Sequence, residues 1–110
     1  MKDLSKRVLN KLLENDFTVT FVGEERGSYV AEIETYSPAG EDVLITIWYD
    51  GTNKDFIREF SRYADDFDAD EHAASWYGAN NGEPDSLREL LDDADAIKNM
   101  LCDMSAKLSK

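Results

Sequence analysis

The hydrophobic period of this chain changes twice, and no other feature constrains its fold as strongly. Between Phe17 and Asp50 lie three runs, "FTVTFVG", "SYVAEIETY" and "DVLITIWYD", rich in β-branched and aromatic residues and alternating in polarity. That is the period-two signature of strands. Before and after them, apolar residues recur every three or four positions, the period of amphipathic helices. A chain that is helical, then extended, then helical must bury helical stripes against one face of a sheet. The expected class is therefore α+β: a three-stranded antiparallel meander packed against helices, in the order α-β-β-β-α-α-α.

Alternation assigns the faces. Phe17, Val19 and Phe21 fall on one side of the first strand, Tyr29, Ala31 and Ile33 on one side of the second, and Val43, Ile45, Ile47 and Tyr49 on one side of the third. Leu44 and Trp48 lie on the opposite side of the third strand, which predicts a central strand or a covered edge. "GEERG" and "SPAGED" read as the connecting turns, with Pro38 presetting φ and Gly40 free to take positive φ.

The helical segments have their own punctuation. Leu4, Val8 and Leu12, widened by Leu9 and Leu13, predict a first helix over about residues 3–14, with Lys2, Lys6, Arg7 and Lys11 on its other face and Asn15 as a left-handed stop. Thr52 or Asn53 can cap a second helix carrying Phe56, Ile57, Phe60, Tyr63 and Phe67. Asp70 can cap a short third helix through Ala73, Trp76 and Tyr77, followed by a "GANNGEPD" loop. "SLRE" is a capping box in which Ser86 and Glu89 open a long last helix with Leu87, Leu90, Leu91, Ala94, Ile97, Leu101 and Met104 on its buried side.

Length and charge limit the function classes. At 110 residues the chain suits one domain, and 42% apolar residues suffice for a core. Twenty-four acids against twelve Lys and Arg leave a net charge of −12. This argues against binding nucleic acid or anionic membrane, whose affinity comes from Lys and Arg neutralising phosphates. It favours a basic partner. The N-terminal stretch lacks the pattern of a signal peptide, and the lone Cys102 precludes an internal disulfide framework, so a reducing cytoplasm is the expected compartment. Cys102, between apolar neighbours, reads as a half-buried packing residue.

The densest chemistry is "YADDFDADEHAASWY", which places Asp65, Asp66, Asp68, Asp70, Glu71 and the only histidine, His72, within eight positions. Asp66, Asp68 and Asp70 alternate like the first ligands of a calcium loop, but the sixth and twelfth places hold Glu71 and Tyr77 where Gly and a bidentate Glu belong. Asp68 with His72 could begin a transition-metal site, although a second histidine is missing. The structural alternative makes Asp70 a helix cap, stabilises Glu71 in the first turn and stacks His72 near Trp76. No nucleophile elbow surrounds any serine and no phosphate-cradling glycine motif occurs, so no catalytic residue, cofactor or metal is assigned. Trp48, Tyr49, Trp76 and Tyr77 read chiefly as core, with Trp76 the better interface residue.

"SPAGED", "YADDFDADEHA" with Trp76 after it, and "NGEPDSLRELLDDADAI" resemble small acidic proteins of gut Firmicutes genomes, their mobile elements and phages, over about residues 36–101. No activity is attached to that group, so the resemblance transfers no site residues. It implies a bacterial accessory protein, in a mobile-element or host-defence setting. The leading expectation is a non-enzymatic module that binds a basic protein, in its sharpest form as a nucleic-acid mimic. Asp65, Asp66, Asp68, Asp70, Glu71, Trp76, Asp85, Glu89, Asp92 and Asp93 are the candidate contact residues. The alternatives are a homo-oligomer formed through the basic first helix and an acidic flank, and a metal-dependent enzyme built on Asp68 and His72.

Overall fold

The computed structural model describes the backbone of residues 4–79 and 87–110, with side chains described for residues 4–74 and 88–110. Seven elements follow in the expected order: α1 (Lys6–Glu14), β1 (Thr18–Glu25), β2 (Ser28–Tyr36), β3 (Asp42–Tyr49), α2 (Asn53–Asp66), α3 (Ala69–Ala79) and α4 (Leu87–Leu108). The strands form an antiparallel sheet in the order β1-β2-β3. This is the α+β architecture that the change of period predicts.

α1 starts later than its apolar stripe suggests. Ser5 is its N-cap, accepting from the Val8 amide at 3.3 Å, and the Ser5 amide donates to Asn53 Oδ1 at 2.9 Å, which ties α1 to the start of α2. At the other end the left-handed residue is Asp16, at φ 65°, and not Asn15. The Phe17 amide reaches back to Leu12 and the Asp16 amide to Leu13, a Schellman closure that needs positive φ one residue past the cap.

The strand registers hold one surprise. Val19 pairs with Ile33 and Phe21 with Glu32, so Thr20 is an extra residue in β1. A bulge of this kind moves every later side chain to the other face. Phe21 accordingly leaves the face of Phe17 and Val19, and Val22 packs against the core in its place. The two hairpins close where the sequence places them: Gly40 sits at φ 89° after Pro38, as expected, and in the first turn Arg26 as well as Gly27 takes positive φ. β3 proves to be an edge strand whose outward apolar side chains are uncovered, where a central or covered strand was expected.

One face of the sheet carries the core. Phe17, Ala31, Ile33, Ile45, Ile47 and Tyr49 meet Leu12 of α1, Phe56 and Phe60 of α2, and Ile97, Leu101 and Met104 of α4. Phe60 lies edge-on to Phe17 with ring centroids 6.2 Å apart, and Phe56 edge-on to Tyr49 at 5.4 Å. Each such ring contributes about 1.5–3 kcal/mol by leaving water. α3 docks on α4 through small residues, Ala73 against Leu90 and Ala94, in a satellite cluster. On α4, Cys102 is exposed and not half-buried, because Leu101 and Met104 take the core side. Among the described residues no helix is long and apolar enough to cross a membrane.

Candidate interaction surface

The fold sorts the carboxylates into two populations. Glu41 and Asp93 are buried, each close to the β2–β3 turn. Asp93 accepts from Ser37 Oγ at 2.6 Å and from the Ala39 amide at 3.1 Å, and Ser37 Oγ itself accepts from the Glu41 amide at 3.0 Å. Glu41 Oε2 pairs with His72 Nε2 from α3, and His72 lies against the Phe67 ring at 5.2 Å. Burial pushes the Glu41 carboxyl above its ordinary value of 4.5; the bond and charge of His72 pull it down, and the charge of Asp93 adds to the rise. The cluster clamps the turn to α3 and α4. It does not assemble a nucleophile with a base, since Ser37 donates to a carboxylate and His72 is held by another.

The remaining predicted residues are placed differently. Asp65, Asp66, Asp68, Asp70 and Glu71 are exposed at the α2–α3 junction, and Glu89, Asp92 and Asp95 are exposed on the N-terminal half of α4. The packing of α3 on α4 brings Asp65, Asp66, Asp68, Asp70 and Asp95 to one open depression of about 440 Å³. Lys98, also at this depression, donates to the carbonyls of Ala64 and Asp65 and so closes the end of α2. Asp93 does not belong with these: it points inward and holds the turn. The cap of α3 is Asp68, whose Oδ1 accepts from the Glu71 amide at 3.1 Å, and not Asp70 two residues later. Asp85 and the Ser86 half of the capping box lie outside the described residues, as does the side chain of Trp76.

His72 is thus bound to Glu41 and Asp68 is spent on a helix cap. Among the described residues no three His, Cys, Asp or Glu side chains are grouped so as to hold a metal ion. The basic face of α1 is turned to a structural task as well. Lys11 Nζ donates to the carbonyls of Lys107 and Lys110 at 2.9 and 3.1 Å, and Arg7 Nη1 to that of Lys110 at 3.3 Å. Cations at a helix C-terminus satisfy its unbonded carbonyls and its partial negative charge.

A second surface was only partly legible in the sequence, which placed Leu44 and Trp48 on the far face but expected them covered. Phe21, Tyr36, Leu44 and Trp48 are 51%, 59%, 70% and 49% exposed, and all four project from the sheet face on which, among the described residues, no helix packs. Tyr49 is core, as expected, whereas Trp48 is not. The bulge hid this patch by placing Phe21 on the wrong side of the alternation. Beside it, Trp48 and Thr46 border a crevice of about 430 Å³ between β3 and α2, walled by Glu59, Arg62, Tyr63, Asp66 and Phe67. Asp66 and Phe67 line both this crevice and the acidic depression, so the two concavities adjoin. Comparison of the chain with known protein families, with curated proteins and with solved structures returned no match.

Proposed function

We propose that this protein is a non-enzymatic interaction module of the cytoplasm whose acidic surface engages a basic protein partner, in its sharpest form by imitating duplex DNA. The observation that carries the reading is the segregation of charge along α4. Acids predominate in its N-terminal half, where Glu89, Asp92 and Asp95 outnumber Arg88 and Lys98 and Asp95 joins the acids of the α2–α3 junction, while Lys107, Lys110, Arg7 and Lys11 outnumber Asp103 at its C-terminal end. A helix of 22 residues spans about 33 Å, several Debye lengths at physiological ionic strength, so the two ends act as separate fields. A predominantly acidic surface steers a basic partner and disfavours nucleic acid itself.

Two other readings find less support in the structure. A homo-oligomer built on the basic first helix draws on Arg7 and Lys11, which already bond the last carbonyls of α4. A metal-dependent enzyme at Asp68 and His72 needs a third ligand, and among the described residues no third His, Cys, Asp or Glu is grouped with them.

The test is affinity capture from a bacterial lysate with tagged wild-type protein and with a variant carrying Asp92→Lys and Asp95→Lys, both exposed positions. The reading expects nucleic-acid-binding proteins on the wild type, lost as salt rises, displaced by duplex DNA and absent from the variant. Equal recovery on both proteins, or recovery insensitive to salt, would overturn it.

A further inference from the structure

β3 is the last strand of the sheet, and among the described residues its outer edge has no partner strand. The Ser37 amide donates to the Glu41 carbonyl at 2.9 Å, which makes residues 37 and 41 a hydrogen-bonded pair. Such pairs alternate along an antiparallel ladder, and the β2–β3 register runs unbroken from Tyr36 opposite Asp42 to Tyr29 opposite Tyr49. Val43, Ile45, Ile47 and Tyr49 therefore aim their amides and carbonyls at β2. Leu44, Thr46 and Trp48 aim theirs outward, and among the described residues no strand pairs with them.

The other edge of the sheet carries devices against pairing that β3 lacks in its own sequence and register. β1 is interrupted by its bulge at Thr20 and ends in Glu24 and Glu25, devices that discourage pairing. β3 has no bulge and no proline, and carries no charged residue between Asp42 and Asp50. Its crevice adds selectivity, because an added antiparallel strand places alternate side chains on opposite faces. Residues opposite Leu44, Thr46 and Trp48 lie on the open face beside exposed apolar groups. Those opposite Ile45 and Ile47 turn toward α2, where Asp66 and Glu59, the latter paired with Arg62 at 3.5 Å, wall the crevice next to the acidic depression.

We propose that the edge of β3 binds an extended peptide of alternating apolar and basic residues as an antiparallel fourth strand, its apolar side chains over Leu44 and Trp48 and its basic ones toward Glu59 and Asp66. The proposal rests on the acidic-surface reading and specifies the form its partner takes. The probe is a capped Lys-Val-Lys-Val-Lys-Val-Lys peptide, titrated at low salt and followed by amide shifts and hydrogen exchange. It is compared with the same peptide N-methylated at the valines, the same N-methylated at the lysines, and an oligolysine of equal charge.

In the proposed geometry the valine amides bond β3 and the lysine amides do not. Shifts and exchange protection at Leu44, Thr46 and Trp48 are expected, with valine methylation weakening binding at least about tenfold, the loss of a few hydrogen bonds, and lysine methylation changing it little. Thr46→Pro removes only an outward amide, a position where an edge strand tolerates proline, and should weaken binding to a similar degree. If that variant unfolds, the two methylated peptides decide alone. Equal binding by all four peptides, with shifts confined to residues 65–71 and 92–95, overturns the edge site and leaves the acidic-surface reading standing. Absence of binding by any of them overturns both. Concentration-dependent protection of residues 44–48 without peptide assigns the edge to a second copy of the chain and overturns the proposal.

Discussion

The two faces of the sheet are made from the same strands and carry similar side chains, yet only one of them is core. On the covered face Ile33, Ile45 and Ile47 close against Phe56, Phe60 and Ile97. On the open face Phe21, Leu44 and Trp48 stand in water. Apolar character alone therefore does not place a residue inside; the helices packed on the sheet choose the face, and the other face keeps its large apolar side chains exposed. The covered face differs in a second way, since its turn end is polar and buries Glu41 and Asp93 where the other face meets solvent.

Substitutions should separate the faces sharply. Phe60→Ala leaves a cavity against Phe17 and Phe56 and is expected to lower stability by about 3–5 kcal/mol, read from urea unfolding; a loss under 1 kcal/mol would mean that the covered face is not close-packed. Asp93→Ala strands the Ser37 hydroxyl and the Ala39 amide, and should lower stability by about 1–3 kcal/mol. Asp92→Ala, one residue away but exposed, should stay within about 0.5 kcal/mol. An equal effect of the two would erase the distinction between buried and exposed carboxylates.

Glu41 adds a pH dependence whose sign can be worked out. Its carboxyl titrates higher in the folded protein than in the unfolded chain, so folding takes up a proton in the window above 4.5. The contribution of this group is most favourable below that window and is lost as pH rises through it. Glu41→Gln cannot ionise, so its stability relative to wild type should improve as pH rises from 4 to 8. A difference that is flat, or that runs the other way, would show that the His72 contact outweighs burial. The smallest effects belong to the open face: Leu44→Ser and Trp48→Ser are expected within about 0.5 kcal/mol, while weakening peptide capture by the β3 edge. A large loss of stability in either would show that this face is packed after all.

Local chemistry determined much of this protein. The change of period from helix to strand and back specified the order of all seven elements, because side chains recur at 3.6 residues in one backbone and at two in the other. Pro38 with Gly40, Thr52 before α2 and the stripes of α2 and α4 were legible for the same reason: each depends on contacts only a few residues away. The acidic character of the surface followed from composition alone.

Tertiary structure decided the rest. One extra residue at Thr20 reversed the face of Phe21, and no alternation pattern reports a bulge made against a partner strand. The end position of β3 left Leu44 and Trp48 exposed, a matter of strand order and not of strand sequence. Asp92 and Asp93 are neighbours of identical type, but the helix turns about 100° between them. That rotation, together with a Ser37 hydroxyl 56 positions distant in the chain, makes one carboxylate a surface charge and the other a buried clamp.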